Sequence, residues 1–226
     1  MNLTYYGHSC FSVEVNKKQL LFDPFISANE LAKNIKVSDI KADYILLTHG
    51  HSDHIADCVI IAQYTGAKVI CNFEIHEWLN RQGVQNTHPM NTGGKWNFED
   101  FEVKCTAAQH SSSLPDGSNG GNPMGFIIFS GEGNFYNSGD TALTLDMKLI
   151  PTWAKLNFAV LPIGDNFTMG AADAIDAAKM VNCTQIVGVH FDTFGYIVID
   201  HEKTKNLFAD AGLKLHLVEI GKTINI

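Results

Sequence analysis

Two rhythms of apolar and polar positions alternate along this chain. Short apolar runs rich in β-branched and aromatic residues read as strands at Leu3 to Tyr6, Phe11 to Val15, Gln19 to Phe22, Tyr44 to Leu47, Lys68 to Cys71 and Val103 to Ala108. The same pattern returns at Phe126 to Phe129, Phe135 to Asn137, Phe158 to Leu161 and Gln185 to Val189. Helical spacing predicts helices over Ile55 to Tyr64, Phe73 to Arg81, Leu143 to Leu149 and Ala171 to Val181. The early strands follow one another as a hairpin series, while helix-like segments separate the later ones. This mixture predicts an α/β chain with two sheets and helices outside them. No repeat is visible in the sequence.

Length and composition narrow the picture. With 226 residues, 45% of them apolar, the chain can bury a sizeable core, and no Pro- or Ser-rich linker divides it, so one domain over 1–226 is expected. The start, Met1 then Leu3-Thr4-Tyr5-Tyr6, lacks the basic residues and apolar core of a signal peptide. Charges, Gly, Asn, Thr and His interrupt the uncharged stretches, so no membrane partner is expected and the location expected is cytoplasmic. Cys10, Cys58, Cys71, Cys105 and Cys183 are an odd set without C-x-x-C spacing, which suits buried thiols in a reducing compartment. Net charge is −8 and Arg81 is the only arginine, so there is no basic stripe for a phosphate backbone and nucleic acid is a poor partner.

Chemistry concentrates at Thr48 to His54, T-H-G-H-S-D-H, directly after the buried strand Tyr44 to Leu47. Side chains alternate on extended backbone, so His49 and His51 point the same way and suit one ion. Asp53 and His54 open the helix that follows, which turns them toward a second, adjacent position. Imidazole with carboxylate suits zinc, and leaves manganese, nickel and iron open. The same grammar of an apolar run followed by a polar residue places His110 after Val103 to Ala108, Asp140 after Phe135 to Asn137, and His190 after Gln185 to Val189. Loops at one sheet edge converge on a site in this way. Ser111 to Pro123, the one long polar stretch, begins directly after His110 and reads either as an ordinary loop or as a mobile cover.

H-x-H-x-D-H followed by isolated H, D and H resembles the metallo-β-lactamase superfamily of di-metal hydrolases over nearly the whole chain. Gly7-His8-Ser9, Gly164 to Gly170 (G-D-N-F-T-M-G) and His190 to Phe194 (H-F-D-T-F) are similar to signatures of its small bacterial metal-dependent hydrolases, related to the ascorbate-6-phosphate lactonase branch. The resemblance implies a four-layer αβ/βα sandwich with the metals at one edge. It implies that His49, His51 and His110 bind a first divalent ion, that Asp53, His54 and His190 bind a second, and that Asp140 bridges them. Zinc is the favoured metal. The implied reaction is hydrolysis of an ester-like bond, in a lactone or phosphodiester, by a hydroxide generated between the ions. Asp53 would orient it, and His8, near the metals in this subgroup, would meet substrate or leaving group.

Alternatives of the same fold are an iron-binding redox enzyme, as in flavodiiron proteins with carboxylate-richer ligands and a flavodoxin domain, and a non-catalytic metal-binding module. β-Lactam hydrolysis is disfavoured without an export signal. The expected partner is a small-molecule substrate, with a homo-oligomer left open. His76, His88, His201 and His216 stand outside any motif and read as surface or helix-face residues. Phe167, Phe191, Phe194 and Tyr196 flank motif residues and read as core packing in preference to an apolar wall.

Overall fold

In the computed structural model, which describes residues 1–226, the chain builds one sheet, then a second, then returns to the first. Strands β1 (Asn2–Gly7), β2 (Cys10–Val15), β3 (Lys18–Phe22), β4 (Tyr44–Leu46), β5 (Lys68–Asn72) and β6 (Thr87–Met90) pair in chain order. Strands β7 (Lys95–Asn97), β8 (Glu102–Ala107), β9 (Met124–Ser130), β10 (Gly133–Asn137), β11 (Phe158–Pro162), β12 (Gln185–Val189) and β13 (Lys214–His216) form the second sheet, also in chain order. The last strand, β14 (Thr223–Asn225), closes the free edge of β1. Each sheet starts antiparallel and turns parallel, at the β3–β4 pair in the first and at the β10–β11 pair in the second.

Period-two alternation explains the layers. On β3, Leu20 and Phe22 face between the sheets while Leu21 faces outward. On β10 and β11, Phe135, Phe158 and Val160 point inward while Tyr136, Ala159 and Leu161 point out. The central strands are buried on both faces, which is why they read as continuous apolar runs. Between the sheets lies a core of 23 buried residues, and two more, of 19 and 20, lie under the outer helices. Helices α2 (Cys58–Thr65) and α3 (Phe73–Arg81) supply residues to the core outside the first sheet, whereas α4 (Ile150–Trp153), α5 (Ala171–Met180) and α6 (His201–Asp210) cover the second; the one-turn α1 (Ser52–Ile55) lies at the sheet edge. The order of layers is αββα. No helix is long and apolar enough to cross a membrane.

Several expected elements change form. The helix expected over Ile55 to Tyr64 is two pieces, α1 and α2, broken at Ala56-Asp57. Asp57 leaves the helical path because its buried carboxylate accepts from the amides of Ile26 and Ser27 and from the Ser27 hydroxyl. Leu143 to Leu149 is a 3-10 segment from Leu145 that runs into α4. Strands β6, β7, β13 and β14 and helix α6 carry weak patterns and were not expected.

Candidate metal centre

Five of the seven candidate ligands lie just beyond the end of a strand. His49 and His51 follow β4, His110 follows β8, Asp140 follows β10, and His190 follows β12. Asp53 and His54 sit on α1, whose first turn places both beside the His49-Gly50-His51 loop. Gly139 permits the approach of Asp140. Its φ is 61°, and a Cβ there would lie 2.8 Å from Thr48 Cβ. The structure brings all seven residues of the expected set together, with His8 at the edge of the cluster.

His49, His51 and His110 form one group whose ligand nitrogens all lie within 4.8 Å of one another. His49 Nε2 stands 2.9 Å from His51 Nδ1. The orientation of His49 comes from a residue that the motif reading missed. Asp23, buried at the end of β3, accepts from the Thr48 amide at 2.8 Å and from the Thr48 hydroxyl at 2.7 Å. With its one proton given to Asp23, the hydroxyl accepts from His49 Nδ1–H at 3.0 Å, which leaves the Nε2 lone pair free. Asp23 Oδ2 also accepts from His54 Nδ1 at 3.0 Å, with the same consequence. Metal-binding histidines are commonly held by such outer carboxylates. The signal was legible in F-D-P, an apolar run followed by an acid.

A second group comprises His8, Asp53, His54 and His190. Asp140 stands between the groups, with Oδ2 at 2.9 Å from His190 Nε2, 3.2 Å from His54 Nε2 and 3.7 Å from His110 Nε2. His8 has φ 55° and is sealed from solvent; its Nε2 meets Asp53 Oδ2 at 3.0 Å and its Nδ1 meets Thr193 Oγ1 at 3.0 Å. It holds Asp53 and is not among the residues that line the cavity above the cluster.

The electrostatics follow from burial. Burial pushes His49, His51 and His110 below the usual imidazole range, which keeps their lone pairs available. Burial likewise brings His8 down to about 4, partly offset by Asp53. His54 goes the other way. Burial opposes its charge, but Asp140 and Asp23 flank the ring and raise it well above the usual range. Burial also opposes the charge of Asp140, yet His54 and His190 hold that carboxyl well below the carboxylate range. Asp53 is lowered for the same kind of reason, burial being outweighed by the hydrogen bond from His8 and the charge of His54.

Whether this cluster fits a metal is decided by its unmet atoms. Asp140 Oδ1 is buried with no hydrogen-bond partner, and His54 Nε2, although 3.2 Å from Asp140 Oδ2, makes no well-aligned hydrogen bond, an arrangement that costs stability unless something else meets them. A field that favours a proton on His54 Nε2 favours a cation there equally. Imidazoles with free lone pairs and ionised carboxylates are a donor set for divalent transition metals. The residues fit a divalent transition metal.

Above the cluster opens a cavity of about 860 Å³. The stretch 111–123 does not close over it. Ser113 and Asn119 pair as a small hairpin, and Leu114 is buried beside Gly50. The Ser112 hydroxyl accepts from the Gly50 amide at 3.0 Å, and Asn72 donates to Gly120 O and Asn122 O. Only Ser111 of this stretch lines the cavity. Of the four flanking aromatics, Phe191 is core, as expected, but Phe167, Phe194 and Tyr196 are exposed and line the cavity. The core-packing expectation therefore holds for Phe191 alone.

Residues 18–191 match the family model described as a beta-lactamase superfamily domain. A UPF0173 metal-dependent hydrolase of Christiangramia forsetii is 51% identical over 227 residues, covering 100% of both chains, and one of Flavobacterium johnsoniae is 50% identical over 226 residues with the same coverage. Among solved structures, Igni18, a novel metallo hydrolase from the hyperthermophilic archaeon Ignicoccus hospitalis, is 35% identical with a TM-score of 0.89, over 99% of this chain and 97% of that one. The chain belongs to the beta-lactamase superfamily and, within it, to the UPF0173 metal-dependent hydrolases. Its sandwich is the metallo-β-lactamase fold.

Proposed function

We propose that the protein hydrolyses an ester-like bond of a small molecule, a lactone or a phosphodiester, at two divalent ions. His49, His51 and His110 would hold the first ion, Asp53, His54 and His190 the second, and Asp140 both. When bound, the ions, zinc first and manganese, nickel or iron otherwise, supply Lewis-acid charge and lower the pKa of a shared water from about 15.7 to about 7. Asp53 orients the attacking water, because His8 fixes one of its oxygens while the carboxylate remains 26% exposed to the cavity. His8 thereby acts as a positioning residue. Thr193 holds His8 from its other nitrogen.

The observation that carries this reading is the pair of unmet buried atoms, His54 Nε2 and Asp140 Oδ1, at the meeting point of seven potential ligands. The same reading puts the protein in the cytoplasm, supported by five cysteines that are all buried and unpaired. A small-molecule substrate, without nucleic acid, is supported by the single arginine and the acidic charge.

Elemental analysis of reconstituted protein, combined with a screen of lactones, phosphodiesters and thioesters, tests the proposal. Close to two ions per chain are expected, with His54→Ala and Asp140→Ala losing an ion and several orders of magnitude of hydrolysis. Fewer than one ion after reconstitution, or bound iron with reductase activity in place of hydrolysis, overturns it.

A further inference from the structure

The lining of the cavity above the cluster is mixed. It combines the ligand side chains, Ser52, Ser111 and Thr193 with four aromatic residues, Phe25, Phe167, Phe194 and Tyr196. The inner rings, Phe25 and Phe194, pack edge-on against His8 at 5.6 and 5.3 Å, while Phe167 and Tyr196 form an outer T-shaped pair at 6.1 Å. Relative exposures of 49% for Phe167, 38% for Phe194 and 78% for Tyr196 are large for aromatic rings. An apolar surface kept open beside a reactive centre marks a ligand face.

These rings are held out by their backbones. Phe167 rides on a turn in which Asp165 and Asn166 take φ of 64° and 57°, closed by the pairing of Gly164 with Gly170. Phe194 and Tyr196 ride on a second turn, closed by Ile197 N to Phe194 O at 3.0 Å and Asp192 N to Ile197 O at 2.8 Å. The Asp192 side chain locks that turn, accepting from the Ile199 amide at 3.0 Å and meeting His201 Nε2 at 2.6 Å. Two independent turns thus present one aromatic face in advance of any ligand, which reduces the ordering cost of binding.

Charge decides what such a face accepts. No lysine or arginine lines the cavity, and its charged side chains other than imidazoles are the carboxylates Asp53 and Asp140. Lys203 belongs to a neighbouring cavity that shares Tyr196. A charged substituent laid on the aromatic rings would lose water and find no lysine or arginine to pair with.

We propose that the substrate carries, beside the bond that is cleaved, an uncharged aromatic or branched alkyl substituent that lies on Phe167, Phe194 and Tyr196. The inference rests on the hydrolase reading and names the substituent that its substrate carries. On a lactone of this kind, the water oxygen bonds to the carbonyl carbon, the acyl C–O bond breaks, and one proton of the water passes to the ring oxygen, giving a hydroxy acid.

Calorimetry separates this inference from the reading beneath it. 3-Phenylcyclopentanone, the carbocycle of γ-phenyl-γ-butyrolactone, cannot be hydrolysed and serves as the probe for metal-loaded protein. Phe194→Ala and Tyr196→Ala are each expected to weaken its binding about tenfold, while Leu145→Ala, an exposed leucine outside this cavity, leaves it unchanged. In kinetics, γ-phenyl-γ-butyrolactone should exceed γ-butyrolactone about tenfold in kcat/KM, through KM. Wall variants that bind the ketone like the wild type, or equal kcat/KM for the two lactones, overturn the inference and leave the hydrolase reading intact. If no ester-like bond is cleaved while the ketone binds as described, the wall stands and the hydrolase reading falls.

Discussion

Asp23 concentrates three demands in one side chain. Its carboxylate fixes the Thr48 amide, fixes the Thr48 hydroxyl that sets the His49 tautomer, and takes the Nδ1 proton of His54. Since His49 and His54 fall in different ligand groups, one buried acid orients a donor for each. Replacing it by Ala removes the acceptor for both protons. The expected outcome is a loss of metal affinity of about 10- to 100-fold, measured by competition with a chromophoric chelator, with all seven ligands still in place. An unchanged affinity would show that the ligand loops hold their own tautomers. Residue-scale reading of the sequence picks out the seven candidate ligands because four share one local motif, while His110, Asp140 and His190 each follow an apolar run in the order of the family pattern. Asp23 and Thr193 were not singled out, since their importance comes from contacts made across 31 and 185 positions of chain.

Strand and helix patterns were legible where both faces or one stripe are buried, and illegible elsewhere. Helix α3 was read at both ends because Ile75, Trp78 and Leu79 bury one stripe and Asn72 caps the first turn by accepting from the Ile75 amide. Strand β7 is exposed along its whole length and β6 carries Pro89, so neither shows a burial pattern to read. His76, placed on a helix face by pattern alone, also ties α3 to β6 through the Thr87 hydroxyl at 2.6 Å. The break at Asp57 is the instructive miss, because helix spacing continues through it and only the tertiary hydrogen bonds stop it. Those bonds tie α1, which carries Asp53 and His54, to the loop after β3. Asp57→Ala leaves the buried Ile26 amide without its acceptor and is expected to cost about 3 kcal/mol, read as a drop in the urea-unfolding free energy. A loss below about 1 kcal/mol would mean that α1 is held by its packing alone.

At the scale of the whole molecule, each sheet opens as an antiparallel series and continues as parallel strands, with no repeat in the sequence to announce it. Backbone pairing repeats while the residues diverge, since two sheets sharing one core need only alternate, not match. That doubly covered architecture also sets the behaviour of the thiols. All five cysteines are buried, and burial pushes each above its ordinary value near 9, that of Cys105 to about 12. The unfolded chain ionises its thiols from about pH 8.5, whereas the folded chain keeps its protons, so the folded state holds more protons throughout the window. Stability must therefore fall as pH rises from about 8.5 toward 12, by up to roughly 1.4 kcal/mol per pH unit for each thiol ionised only in the unfolded state. Urea midpoints at fixed temperature are expected to hold steady from pH 7 to 8 and drop steeply between pH 9 and 11. Cys105→Ala shallows that slope by up to one proton's worth while lowering the plateau. Reaction of the folded protein with a thiol reagent at pH 9 gives an independent measure, expected to be slow and to follow unfolding. Rapid labelling of one or more thiols, with a flat midpoint across the same range, would show that the sheets open to solvent without global unfolding.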